Sequence, residues 1–245
     1  MPKSADFNLE EHLFRIRSAD RIQAILEYAK AGYMGLGIDR ASYHLAGKLR
    51  SPTSATVQLL SYGFPKSFVE KYHDPEFRKH DPIPDIIMTH GQPMQHREAL
   101  SVRRLTQAEQ AFVAEAKAVD IMNGIGVPLF GRNLRNAYTS FGFNDPAFIE
   151  DEQILVDFMA IASLAHLQIC NFLEKPIENK VTLSTRESEV IGHIARGYSG
   201  PFIAKIIKVS EATVNTYIRR IFAKLEVSDK VSAVIRSLEY GLLRY

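Results

Sequence analysis

Apolar positions recur along this chain with two different periods, and each change of period marks a change of element. Ile22, Ile25, Leu26 and Ala29 repeat at three- and four-residue intervals and predict an amphipathic helix ending near Gly32. Before Ser18 the sequence is mixed in charge and predicts an irregular or short helical lead-in. Arg40–Ala46 and residues 55–62 read as strands. Pro65 then opens a short helix that sets Phe64, Phe68 and Tyr72 on one face, and Asp81-Pro82 leads into a further helix over 83–88. Thr106 with Glu109 forms a capping box, in which hydroxyl and carboxylate each satisfy an open backbone N–H, and starts a helix with Phe112, Val113 and Ala116 turned inward. Strands follow at 124–130 and 136–143, separated by the hairpin-like turn Gly131-Arg132-Asn133. A long helix over 150–173 buries Ile154, Phe158, Ile161, Ala165, Ile169 and Phe172.

This order predicts an α/β N-terminal domain, a curved antiparallel sheet between helices, spanning 1–173 with a small-molecule pocket between sheet and helices. Residues 174–181, which hold Pro176 and several charges, read as a linker to a small all-α domain over 182–245.

In that second domain the period is helical throughout. Ser184 and Glu187 form another capping box, Val190, Ile191 and Ile194 mark the first buried stripe, and Gly197 ends the helix by accepting positive φ. Ser199-Gly200-Pro201 restarts the chain into a second helix over 202–207. Ser210 is the expected N-cap of a third, with Val214, Tyr217, Ile218, Ile221 and Leu225 inward. Its remaining face carries Thr213, Asn215, Thr216, Arg219, Arg220, Ala223 and Lys224, three cations and no carboxylate. Alone, such a face is usually just solvated; after two short capped helices it suits a helix lying in the DNA major groove.

Leu183-Ser184-Thr185-Arg186-Glu187, Ala195-Arg196-Gly197-Tyr198-Ser199, Ile203-Ala204, Val209-Ser210, Thr213-Val214 and Lys224-Leu225 together resemble the helix-turn-helix of LuxR-type transcriptional regulators. Two positions depart from the pattern: Phe202 stands where the family usually has an acidic residue and Tyr217 where it has histidine, both read as scaffold positions. Upstream, Phe68, Tyr72, Asp81, Pro82, His96 and Gly124 follow the order and spacing of that family's autoinducer-binding domain.

The resemblance implies a quorum-sensing regulator that binds acyl-homoserine lactones. Asp81 would accept from a ligand amide N–H, Tyr72 would meet the acyl carbonyl, and Ser140 would add a further polar contact. Phe68 and His96 replace two tryptophans of the family pattern, and Phe64 supplies only a ring where some members carry a tyrosine hydroxyl. The chain has no tryptophan. Phe64, Phe68 and His96 are able to stack an aromatic ring, so the expected ligand is an aryl or branched homoserine lactone or a non-lactone relative. Asp81 before proline is, by itself, more often a turn residue or helix cap.

Charge is distributed as this reading requires. The net charge is +2, but from Ile177 onward there are 11 Lys and Arg against 7 Asp and Glu, leaving 19 against 21 upstream. Positive potential therefore gathers where DNA would bind. The single cysteine, Cys170, excludes an internal disulfide and reads as core. No apolar run long enough to cross a bilayer is read from the sequence, and residues 1–6 lack a signal-peptide core, so a cytoplasmic protein without cofactor or membrane partner is expected. Two recognition helices imply a homodimer on inverted-repeat duplex DNA, with Val231, Val234, Ile235 and Leu238 of a last helix, or the long helix ending near Phe172, at the interface. A regulator that acts without ligand, or an apo-dimer released from DNA by its ligand, is the alternative. An enzyme acting on the signal is disfavoured by the lack of G-x-S-x-G, Walker and H-E-x-x-H motifs, and a phosphorelay receiver by the lack of its acidic set before Ser51.

Overall fold

The computed structural model describes residue 4 and residues 6–46, 56–145, 151–173 and 181–243. The chain divides into two compact units, Met1–Glu174 and Lys175–Tyr245. Nearly all of the expected linker lies outside the described residues.

The first unit is built on one five-stranded antiparallel sheet in the order β2-β1-β5-β4-β3. The strands are β1 Arg40–Ala46, β2 Thr56–Tyr62, β3 Met94–Gln95, β4 Gly124–Leu129 and β5 Ala137–Gly142. Strand alternation sends one set of side chains to each face. Ala41, Tyr43, Leu45, Ile125, Val127, Leu129, Ala137 and Phe141 join α1 Leu9–Ser18, α2 Ile22–Gly35 and α8 Glu152–Leu173 in the main core. The lead-in is thus a full helix, capped by Asn8, whose side chain accepts from the Glu11 N–H. Helix α2 runs one turn past Gly32 because Tyr33 is buried and continues the apolar stripe.

Helix α8 corrects one expectation. By length and composition it is apolar enough to cross a bilayer. Asp157 and His166 interrupt its apolar run, which hid this in the sequence. Its inner face, including Ile154, Phe158, Ile161 and Ile169, is instead committed to the main core. The buried ring of His166 lies between the Tyr43 hydroxyl, 2.7 Å from Nδ1, and the Arg135 carbonyl, 3.0 Å from Nε2. With Nε2 donating to the carbonyl, Nδ1 accepts from tyrosine, so both nitrogens are satisfied.

The other sheet face is covered by α3 Lys66–His73, α4 Pro75–Arg78, α5 Ile83–His90, α6 His96–Ala99 and α7 Gln107–Ala118. The capping box of Thr106 and Glu109 opens α7 as expected, and Phe112, Val113 and Ala116 are buried. Helices α4 and α6 and strand β3 had no expectation from the sequence; each spans four residues or fewer, too short for periodicity to show. The hairpin-like turn expected at Gly131-Arg132-Asn133 joins the antiparallel pair β4 and β5 through a 3-10 turn over Arg132–Leu134, with Asn133 and Leu134 at positive φ.

The second unit contains α9 Thr185–Ala195, α10 Gly200–Ile207, α11 Glu211–Leu225 and α12 Lys230–Glu239 around Val190, Ile191, Ile203, Val214, Ile221 and Ala233. Gly197 takes φ +82° beyond α9. Lys208 takes the left-handed conformation between α10 and α11, and its N–H returns to the Ala204 carbonyl.

Candidate ligand pocket and nucleic-acid interface

The polar face of the sheet is the floor of a chamber. In β1 and β5 the register pairs Ser42 with Ser140 and His44 with Tyr138, all on the face opposite the main core. The Ser42 and Ser140 hydroxyls lie 2.9 Å apart. Tyr138 Oη lies 3.2 Å from His96 Nε2. Glycines of β4 make room for these rings: a Cβ at Gly126 would lie 2.6 Å from Tyr138 Oη, and one at Gly124 would lie 2.9 Å from His96 Cε1.

Helices supply the rest. Tyr72 on α3 donates to Asp81 Oδ2 at 2.9 Å, and Asp81 Oδ1 accepts from the Ile83 N–H at 3.0 Å. Asp81 therefore holds the entry to α5 and closes one end of the chamber with the same carboxylate. Phe68 packs on Tyr72 at 6.0 Å and edge-on to Phe112 at 5.9 Å. The cavity is about 70 Å³, partly open, and is walled by Phe64, Val69, Ala116, Ile121 and Met122 beside the rings already named.

Desolvation dominates the chamber's electrostatics. Burial pushes the Asp81 carboxyl up to about 7, although the Ile83 N–H and Tyr72 O–H bonds pull it down. Burial also lowers His44 to about 3 and His96 to about 4, so both rings are neutral near pH 7. Tyr72 is raised by burial and by the neighbouring Asp81. A buried carboxyl near its own titration point is an acceptor in want of a donor, and a ligand N–H fits that need.

All six residues singled out in the sequence, Phe64, Phe68, Tyr72, Asp81, His96 and Ser140, line this one chamber. Sequence reasoning missed Ser42, His44 and Tyr138. The signal was present, since these polar residues alternate with the apolar positions of β1 and β5; assigning the faces required knowing which side met the helices.

On α11, Ser210 caps the helix by accepting from the Thr213 N–H at 3.1 Å, and its hydroxyl meets Thr213 Oγ1 at 2.8 Å. Thr216 Oγ1 donates back to the Ala212 carbonyl. Asn215, Arg219 and Arg220 are exposed. Lys224 departs from the expected pattern: Nζ contacts Glu187 Oε2 at 2.6 Å and the Thr182 carbonyl at 3.1 Å. Glu187, 4% exposed, also accepts from the Ser184 N–H at 2.7 Å. Burial favours its neutral form, but the bonds from Lys224 and Ser184 outweigh that and hold it below the usual carboxylate range. Lys224 thus ties α11 to the start of α9. Phe202 also departs from a scaffold role, since it is 48% exposed and meets Tyr198 edge-on at 4.9 Å. Tyr217 is half-buried against the helical core.

A polar-floored chamber in one unit and a capped helix-turn-helix in the other define a ligand-sensing DNA-binding regulator. Residues 21–169 match the autoinducer binding domain, and residues 181–237 match the bacterial regulatory proteins of the luxR family. The chain belongs to the LuxR family of transcriptional regulators. It is 26% identical to the transcriptional activator AnoR of Acinetobacter nosocomialis over 89% of this chain and 92% of that protein. It is likewise 26% identical to the transcriptional activator SolR of Ralstonia solanacearum, over 97% and 99%. Escherichia coli SdiA has the same fold, with TM-score 0.71 at 16% identity over 97% of this chain and 98% of that one.

Proposed function

We propose that this regulator binds an amphiphilic signal of the acyl- or aryl-homoserine lactone type in the chamber above Ser42, Ser140 and Tyr138, and couples its occupancy to operator binding. The observation carrying this reading is the Tyr72–Asp81 pair. It offers a carboxylate acceptor and a phenol at one end of an otherwise aromatic and aliphatic cavity. A ligand amide N–H would take the acceptor and its acyl carbonyl the phenol, while Phe64 and Phe68 receive the acyl group. Phe68 offers no donor for a lactone carbonyl, which favours ligands with an aromatic or branched acyl portion, or a non-lactone relative. SdiA has been solved with octanoyl-rac-glycerol, which is such a non-lactone amphiphile. No cofactor enters this reading.

The regulator acts in the cytoplasm as a homodimer on inverted-repeat duplex DNA. Asn215, Thr216, Arg219 and Arg220 face the groove, Thr213 approaches the backbone from the first turn of α11, and Lys224 positions α11 through Glu187. Val156 and Leu167 on α8, with Phe130, and Val231 and Ile235 on α12 are exposed apolar residues suited to a two-fold interface. The test is a titration of inverted-repeat duplex with the purified protein, with and without straight-chain and aryl homoserine lactones. The expected result is an operator affinity that changes with lactone concentration. Tight operator binding that no lactone alters would favour the ligand-independent alternative instead.

A further inference from the structure

The described part of the second unit begins at Val181, and the chain from there to Ser184 is fastened before any helix starts. Val181 and Leu183 pack against the helical core. The Ser184 N–H donates to Glu187 Oε2 at 2.7 Å. Between them, the Thr182 carbonyl accepts from Lys224 Nζ at 3.1 Å, and the same ammonium reaches Glu187 Oε2 at 2.6 Å. Ser184 and Glu187 complete the cap of α9 between themselves, so the bond to Thr182 is no part of that cap. It ties the incoming chain to the last turn of α11, the helix that carries Arg219 and Arg220. Thr182 and Lys224 are 42 residues apart in sequence, so this tie is a product of the tertiary fold.

We infer that Lys224 is the positioning residue through which lactone occupancy reaches the recognition helix. The covalent path from the ligand-binding unit runs through Val181 and Thr182. A change in where that path arrives is passed by the Thr182 carbonyl to the Lys224 ammonium. An α-helix is stiff, with about 3.6 residues per turn, so a displacement at Lys224 moves Arg220 one turn away and Arg219 beside it. Glu187, 4% exposed, holds the ammonium in place from the other side, which keeps Lys224 from simply following the carbonyl. Without the ammonium, the entering segment moves independently of α11, and occupancy of the chamber no longer alters the fit of the two arginines to the groove. Coupling of this kind is the ratio of operator affinities with and without ligand. A lysine that only stabilises the fold lowers both affinities alike and leaves their ratio unchanged.

This inference rests on the lactone reading above, and the experiment separates the two. Binding of the full-length protein to inverted-repeat duplex is followed by fluorescence anisotropy, without ligand and with saturating octanoyl- or cinnamoyl-homoserine lactone. The wild-type chain is compared with Lys224→Met, Lys224→Arg and a chain lengthened by Gly-Ser-Gly-Ser between Glu178 and Asn179. The expected result is a wild-type ratio that shrinks by about threefold or more in Lys224→Met and in the lengthened chain, in which the path to Thr182 is slack. Lys224→Arg, which keeps a donor at that place, retains more of the ratio than Lys224→Met. Equal ratios for the wild-type chain and Lys224→Met overturn the role of Lys224 and leave the lactone reading standing. An undiminished ratio in the lengthened chain does the same, and decides the matter should Lys224→Met not fold. A wild-type operator affinity that neither lactone changes overturns both.

Discussion

On the proposed reading Asp81 combines two jobs that are usually separate, holding the entry to a helix and facing a ligand. Its carboxyl titrates near 7 because burial favours the neutral form. If the proposed ligand's amide donates to it, the ionised form is favoured, so ligand binding would release a proton. Lactone affinity is therefore expected to fall as pH drops below about 7, by at most about tenfold per pH unit. Asp81→Asn removes both the pH dependence and most of the affinity; calorimetry from pH 5.5 to 8 checks both. On α11, the cations separate by what they touch. Arg219→Ala and Arg220→Ala are each expected to weaken operator binding by about 1–3 kcal/mol without changing the melting temperature. Lys224→Ala does the opposite. It leaves Glu187 without its ammonium partner and lowers stability by about 1 kcal/mol, the low end because the Lys224 side chain is 41% exposed. Gel-shift and thermal melts on the same three variants separate the roles. Arg219 and Lys224 looked equivalent in sequence, since both fall on the polar face of one helix; Glu187 lies 37 residues from Lys224, beyond any helical period.

Caps made the helical unit readable at the scale of elements. Ser184 with Glu187 starts α9, Ser199 starts α10 and Ser210 starts α11, each through a hydroxyl accepting a backbone N–H three residues on. These are local interactions between near neighbours, so the chain itself encodes them. Ser210→Ala is expected to cost about 1 kcal/mol and to fray the first turn of α11. Because Thr213 sits in that turn, operator affinity falls with it, and hydrogen exchange at the Thr213 amide reads the fraying directly. Sheet elements were less legible. The long strands and the capping box of α7 were visible, but β3 pairs only Met94 with Gly126 and Gln95 with Ile125, a ladder too short to leave a period. The four-residue helices α4 and α6 are likewise too short to leave a period.

For the N-terminal unit as a whole, acid stability is the sum of opposing buried groups. His44, His96 and His166 are lowered to about 3, 4 and 4, chiefly by burial, so each resists protonation in the folded state and its contribution is lost as pH falls below the ordinary histidine value of 6.5. Asp81 acts in the other direction: its folded value is raised, so its contribution is present at low pH and is lost as pH rises through about 7. His12 is also lowered, chiefly by burial, so four histidines oppose one carboxyl. The melting temperature of this unit is therefore expected to fall between pH 6.5 and 4.5; a flat or rising profile followed by circular dichroism would contradict the neutral burial of these rings. By itself the sequence determined the longer helices, the helix-turn-helix and the main strands, because caps, periods and turns act between near neighbours, while six residues of the chamber came from its resemblance to a known family pattern. Only tertiary structure decided that Ser42, His44 and Tyr138 form the chamber floor and that Lys224 is held by Glu187. In each case the partner comes from a distant part of the chain, and which face of a strand or helix is enclosed is fixed only when the layers pack.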